Sequence, residues 1–153
     1  MCCGGAGVSI LLTPGTMASY NSHATLHYAL WGLMLPVSVH GRVSDIWRSY
    51  IMQRLMVDVG QSVGYVSPFV ENKQTSLNMQ GDFMSEASLY GKTEALIKVL
   101  NNWQSVSNFF EERLLELFVQ MYECDFVELI DVVLVQKWVR SLKQIGYVFP
   151  AVL

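Results

Sequence analysis

The apolar positions of this chain keep one rhythm before Val43 and another after it. Val8 to Leu12 is a short apolar run with β-branched members that stops at Pro14-Gly15, the pattern of a buried strand entering a turn. Tyr20 to Tyr28 is polar and aromatic with no period, and reads as an irregular loop of the kind that carries binding groups on a rigid scaffold. Ala29 to Leu35 predicts a short helix stopped by Pro36, and Val37 to Val39 predicts a further strand. From Val43 the period becomes helical: Val43, Ile46, Trp47, Tyr50, Ile51 and Leu55 recur at spacings of three and four, one apolar face of a helix. Ser44 suits its N-cap, Asp45 its first turn and Gly60 its end. Ser62 to Val66 alternates weakly as a strand up to Pro68, and Glu71 to Gly81 is a polar loop.

Three amphipathic helices follow. The first, from about Ser85 to Trp103, aligns Leu89, Leu96, Leu100 and Trp103 on one face. The second, from about Asn108 to Tyr122, aligns Phe110, Leu114, Leu117, Phe118 and Met121. The third starts at Asp125, with Glu128 reaching back as in a capping box, and carries Val127, Ile130, Leu134, Trp138, Leu142 and Ile145 to a stop at Gly146. Helical spacing makes core packing the ordinary role of these aromatic and Met residues, rather than a ligand pocket.

Composition sharpens this picture. At 153 residues the chain is one domain or a piece of one, and its 15% of charged residues lies well below the roughly 25% of a free soluble domain. No Lys, Arg, Asp or Glu precedes Arg42, so the opening reads as the interior of a larger fold. A net charge of -3 excludes the basic stripe that nucleic-acid binding requires. The apolar run Ala29 to Val39 is broken by Gly32 and Pro36 and is too short to cross a bilayer, and Met1 to Ile10 lacks the features of a signal peptide. Cys2, Cys3 and Cys124 read as free or partly buried thiols, and they leave the compartment undecided.

Two stretches carry a family likeness. Tyr20-Asn21-Ser22-His23-Ala24-Thr25-Leu26-His27 precedes a run from Leu30-Trp31-Gly32-Leu33-Met34-Leu35-Pro36-Val37-Ser38-Val39-His40-Gly41 into Arg42-Val43-Ser44-Asp45-Ile46-Trp47-Arg48-Ser49-Tyr50, followed by Gln53-Arg54. This order resembles the STELLO-type family of eukaryotic proteins, in which YN(S/T)Q-x-T precedes WGLxLPV(T/S)V, RVxDIWR(S/G)Y and then QR. The likeness continues more loosely through Pro68-Phe69, Trp103 and the closing helices, from about Leu11 onward. The surroundings of Asp45 also resemble, over a shorter stretch, the RYDDIWAGW segment of reversibly glycosylated polypeptides. The chain departs from the family at His23, where Gln is usual, and around Glu71, where Arg or His is usual.

The resemblance implies an α/β fold of the GT-A type, of which this chain would be the carboxy-terminal part: a few short strands, loop and motif helix over residues 1–70, then a three-helix segment over 82–147. It implies a Golgi membrane protein with its catalytic part in the lumen, a nucleotide-sugar donor and a glycan acceptor. Transfer from a sugar nucleotide needs the departing diphosphate stabilised, usually by a divalent cation such as Mn or Mg held by carboxylates. No Asp-x-Asp pair is present, since Asp45, Asp58, Asp82, Asp125 and Asp131 are scattered, so the donor half is expected elsewhere and the chain is expected to be inactive alone.

What remains is an acceptor side. Arg42, Asp45 and Arg48, spaced by three at the start of one helix, form the expected catalytic cluster: Asp45 to receive an acceptor hydroxyl or its proton, the two arginines to orient phosphate or carboxylate. Trp47 is a candidate to stack on a sugar, and Asn21 and Thr25 are candidate substrate contacts in the preceding loop. The same residues also fit an Asp that caps its own helix and pairs with Arg48, with Trp47 in the core. His23 and His27 read as hydrogen-bonding groups rather than metal ligands, because the stretch is not helical. The alternative is a non-enzymatic module that docks its helices on another Golgi protein, as plant members of the family associate with cellulose synthase.

Overall fold

The structure is a computed structural model that describes residues 10–11, 29–65 and 79–153. Helical periodicity dominates it. A 3-10 turn at Leu30–Leu33 leads through a strap, Met34 to His40, into helix α1 (Gly41–Asp58). Helices α2 (Met79–Ser85), α3 (Ala87–Asn102), α4 (Phe110–Glu123) and α5 (Leu129–Gln144) follow. Helix α1 packs on α3 and α4 on α5, while the 3-10 turn touches both α1 and α5.

The expected α/β fold is therefore corrected to a helical one. Among the described residues the extended structure amounts to β1 (Ile10–Leu11) and β2 (Gly64–Tyr65), two residues each, paired antiparallel with Ile10 opposite Tyr65. Val37 to Val39, expected as a strand, forms a series of bends instead. Its Val37 and Ser38 amides are taken by a side chain, Asp131, so they are lost to any sheet ladder.

The α4 stripe lies as its sequence spacing indicates: Phe110, Leu114, Leu117, Phe118 and Met121 are all buried. They meet Trp31 of the 3-10 turn, whose ring stands edge-on to Phe110 at 4.6 Å. Gly32 beside it faces α1 so closely that a Cβ would overlap the Met52 side chain. Leu96 and Leu100 of α3 complete the centre. Burial on this scale, at about 25 cal/mol per Å² of apolar surface, is the main force holding the helices together. After α5 the tail returns over the core, with Tyr147 edge-on to Phe149 at 5.1 Å and the Leu153 amide bonded to the Asp58 carbonyl.

The ends of α1, α4 and α5 follow one device. After α1 and α5, Gly60 and Gly146 adopt positive φ, and the residue beyond each donates back to the carbonyl five residues earlier. The α4 end uses the same geometry with Asp125 at φ 59, its Phe126 amide reaching the Met121 carbonyl. Asp125 thus closes α4 rather than opening the last helix as expected; Asp tolerates the left-handed region better than most residues. The cap of α5 is Glu128, and its inward face is turned from the expected stripe. Asp131, Val135 and Leu142 are buried, while Ile130 and Ile145 are exposed.

Candidate functional site

The strap leading into α1 is held by a carboxylate far away in sequence. Asp131, in the first turn of α5 and fully buried, accepts from the Val37 amide at 2.6 Å through Oδ1. Its Oδ2 accepts from the Ser38 amide at 3.3 Å and from the Ser38 hydroxyl. That hydroxyl accepts in turn from the Glu128 amide at 3.0 Å, one of the donors a helix start leaves open. Ser44, expected as the α1 cap, lies inside the helix and donates to the Pro36 carbonyl. The cap is His40, whose Nδ1 accepts from the Arg42 amide at 3.3 Å. Strap, α5 and α1 are thereby fixed to one another.

The start of α1 itself faces outward. His40, Gly41 and Arg42 are exposed, and a Cβ at Gly41 would meet nothing. Arg42 pairs with Glu86 at 3.5 Å. Glu86 also accepts from the Tyr90 phenol at 3.0 Å, a bond that pushes the phenol above its ordinary value. Asp45 is half-buried, with Oδ1 accepting from the next amide, Ile46, at 2.9 Å. Asp45 and Arg48 form no ion pair with each other. Arg48 is only 8% exposed, and its Nε is the one buried side-chain nitrogen or oxygen among the described residues that has no hydrogen-bond partner.

Trp47 is corrected from candidate sugar platform to core. It is fully buried, its Nε1 donates to Thr93 at 3.0 Å, and its ring stands edge-on to Phe126 at 6.1 Å. Neither its face nor its nitrogen is open to a ligand. The structure thus brings Arg42, Asp45 and Arg48 onto two turns of one helix but sets them at three depths: exposed, half-buried and buried. Asn21, His23, Thr25 and His27 lie outside the described residues.

Two charged groups were not legible as partners in the sequence. Asp58, at the end of α1, sits between Arg54 at 2.6 Å and Arg113 of α4 at 2.9 Å, all three largely buried. Arg54 also donates to the Trp103 carbonyl, and its guanidinium lies 5.1 Å from the Trp103 ring. The i,i+4 spacing of Arg54 and Asp58 is the sequence signal for half of this cluster. Asp131 left no signal, because its partners lie more than ninety residues away. A groove of about 500 Å³ opens beside this cluster, lined by Lys98, Val99, Asn102, Trp103, Gln104 and Gln120. It includes none of the expected site residues.

No group of three His, Cys, Asp or Glu among the described residues suits a metal ion, and Asp58 and Asp131 are already engaged. A divalent cation of the expected kind does not fit this donor set. Cys124 is a free, half-buried thiol accepting from Gln120, and no helix among the described residues is long and apolar enough to cross a membrane.

The family model described as STELLO glycosyltransferases matches residues 42–153. The probable glycosyltransferases STELLO2 and STELLO1 of Arabidopsis thaliana are each 35% identical over 144 residues, 92% of this chain and 18% of each relative. The chain thus spans about a fifth of the length of these relatives. No solved structure matches.

Proposed function

From the premise that this chain belongs to the STELLO glycosyltransferases, we propose that it forms the acceptor-facing wall of a sugar-transfer site at the start of α1. The observation that carries this reading is the open end of α1, where His40, Gly41 and Arg42 are exposed, Arg42 being the first residue matched by the family, with Asp45 and Arg48 following on the same helix.

In this reading the acceptor hydroxyl lies against Asp45, whose Oδ1 is oriented by the Ile46 amide and whose carboxylate receives the hydroxyl proton. As the acceptor oxygen bonds to the anomeric carbon, the bond from that carbon to the donor diphosphate breaks. The diphosphate leaves toward groups that this segment does not supply, a divalent cation among them. Arg42 and Arg48 orient a phosphate or carboxylate of the substrates. The asparagine loop, with Asn21 and Thr25, supplies further contacts. Trp47 supports the helix from inside. The segment is inactive alone, and the full-length polypeptide acts in the Golgi membrane with this part in the lumen.

The test is Asp45→Asn in the full-length polypeptide that carries this segment. Release of nucleoside diphosphate is followed from a panel of sugar nucleotides with glycan acceptors. Transfer should fall by a factor of about 100 or more, the scale of a lost proton acceptor, with folding unchanged by circular dichroism. Undiminished transfer would favour the second reading, a module that docks on another Golgi protein. What supports that reading is the set of exposed apolar residues around the Asp131 clamp: Leu33, Leu35, Val37, Leu129 and Ile130.

A further inference from the structure

Trp31, Trp47, Trp103, Phe110, Phe118 and Phe126 all turn their rings into the core. Phe83 of α2 and Tyr90 of α3 do the opposite. They stack on each other, with 5.4 Å between centroids and 23° between planes, and remain 62% and 63% exposed. Rings held this far out of the core add little to folding, and an exposed aromatic pair of this kind marks a surface where something binds.

The joint between α2 and α3 positions the pair. The Glu86 amide donates to the Phe83 carbonyl at 3.2 Å, and the Tyr90 amide donates to the Glu86 carbonyl at 3.2 Å, so both rings are set from one residue. The Glu86 carboxylate lies beside them: Oε2 accepts from the Tyr90 phenol at 3.0 Å, and Oε1 pairs with Arg42 at 3.5 Å. Carboxylate and guanidinium are both reached by solvent. Trp47, expected as the aromatic platform of this region, is in the core; the rings linked to Arg42, through Glu86, are these two.

That composition selects the occupant. A sugar ring has faces of C–H groups, which suit an aromatic surface, and a rim of hydroxyls, which suit a carboxylate and a guanidinium. An apolar protein segment laid over the same rings would strip water from Glu86 and Arg42 and return no hydrogen bond, whereas hydroxyls replace that water. The charges of Glu86 and Arg42 offset each other, which favours a neutral sugar over an acidic one. We propose that Phe83, Tyr90 and Glu86 form a subsite for one ring of a neutral saccharide, linked through Arg42 to the start of α1. A carboxylate has about four acceptor positions, so Glu86 receives sugar hydroxyls while keeping Tyr90 and Arg42. Naming this saccharide the acceptor rests on the transfer reading; the subsite itself rests on the exposed rings and the carboxylate between them.

The experiment titrates the 153-residue chain with tetrasaccharides of glucose, galactose and mannose, each in α-linked and β-linked form, and follows the Phe and Tyr ring signals by NMR. At least one tetrasaccharide should give saturable shifts at Phe83 and Tyr90, with its own C–H protons moved upfield by the rings. Tyr90→Leu and Phe83→Leu should each weaken that binding by about tenfold or more, and Glu86→Gln should weaken it several-fold. Melting of the two Leu variants should stay near wild type, because both rings are exposed; should Tyr90→Leu not fold, the Phe83→Leu titration decides alone. No saturable response to any tetrasaccharide, or equal responses of wild type and Tyr90→Leu, would overturn the subsite. So would self-association of wild type in sedimentation that Tyr90→Leu abolishes, since that assigns the rings to a second copy of the chain. Saccharide binding lost in Tyr90→Leu, beside undiminished transfer in Asp45→Asn, would leave the subsite standing and remove the transfer reading. No saccharide binding, beside lost transfer in Asp45→Asn, would do the reverse.

Discussion

Helices α4 and α1 differ in how they are buried. Helix α4 turns one stripe inward, Phe110, Leu114, Leu117, Phe118 and Met121, and keeps Glu111, Glu112 and Glu116 off that stripe. Helix α1 is enclosed on several sides, hiding Ser44, Arg48, Ser49 and Gln53 along with Val43, Trp47, Ile51 and Leu55. A single stripe is the arrangement that stabilises a helix with least conflict. Polar groups buried all round cost stability unless each is bonded, and α1 meets that condition through its own carbonyls and the strap, except at Arg48. The lesson is that α4 is explained by folding, whereas α1 is explained only if something other than folding has kept its charge inside.

The comparison can be broken first at α4. Leu117 is fully buried and its removal leaves a cavity, so Leu117→Ala should cost about 3 kcal/mol in urea unfolding. A loss below about 1 kcal/mol would mean that α4 is not the apolar foundation of the fold. The next effect concerns the strap. Asp131→Ala leaves the Val37 and Ser38 amides without their acceptor and should cost about 2 kcal/mol by the same measurement. It should also speed hydrogen exchange at Val37 and Ser38 more than at Leu117. Uniform acceleration would mean that Asp131 supports the whole fold and not the α1 entry.

The smallest effect concerns a glutamate that α4 keeps off its buried stripe. Burial, the largest influence on Glu111, pushes its carboxyl up, yet the hydrogen bonds from Lys143 and its own backbone and the Lys143 charge together leave it below the ordinary glutamate value. A lowered folded value stabilises the fold above the unfolded value and loses that contribution as pH falls through the folded one. With Lys143 half exposed, Glu111→Gln should cost less than about 1 kcal/mol at neutral pH. The difference from wild type should vanish below the ordinary glutamate range. A difference that persists in acid would assign it to packing.

The same contrast accounts for what the sequence made legible. In α4 each inward position is apolar, so spacing alone located every one of the five. In α5 the inward face opens with Asp131, a residue that hydropathy assigns to solvent, and the expected stripe was rotated onto Ile130 and Ile145. Asp125 and Glu128 had the spacing of a capping box, but the positive φ of Asp125 assigns it to the helix before. Val37 to Val39 had strand composition, and a partner distant in sequence took its amides. The family was legible because rare residues such as Trp31, Pro36, Asp45 and Trp47 stand in a fixed order, whatever their burial. Residue order, however, did not indicate depth: Trp47 carries the family likeness yet lies in the core, and nothing in the spacing of Arg42, Asp45 and Arg48 set one outside and one within.

The idea that α1 keeps Arg48 for a ligand is tested most directly by the urea unfolding free energy of Arg48→Met against wild type, in a buffer free of phosphate. If the buried cation is a cost borne for binding, an apolar side chain of similar reach should raise stability by about 1 kcal/mol or more. A loss of stability on that substitution would show that the guanidinium is already satisfied within the fold, and would contradict the idea.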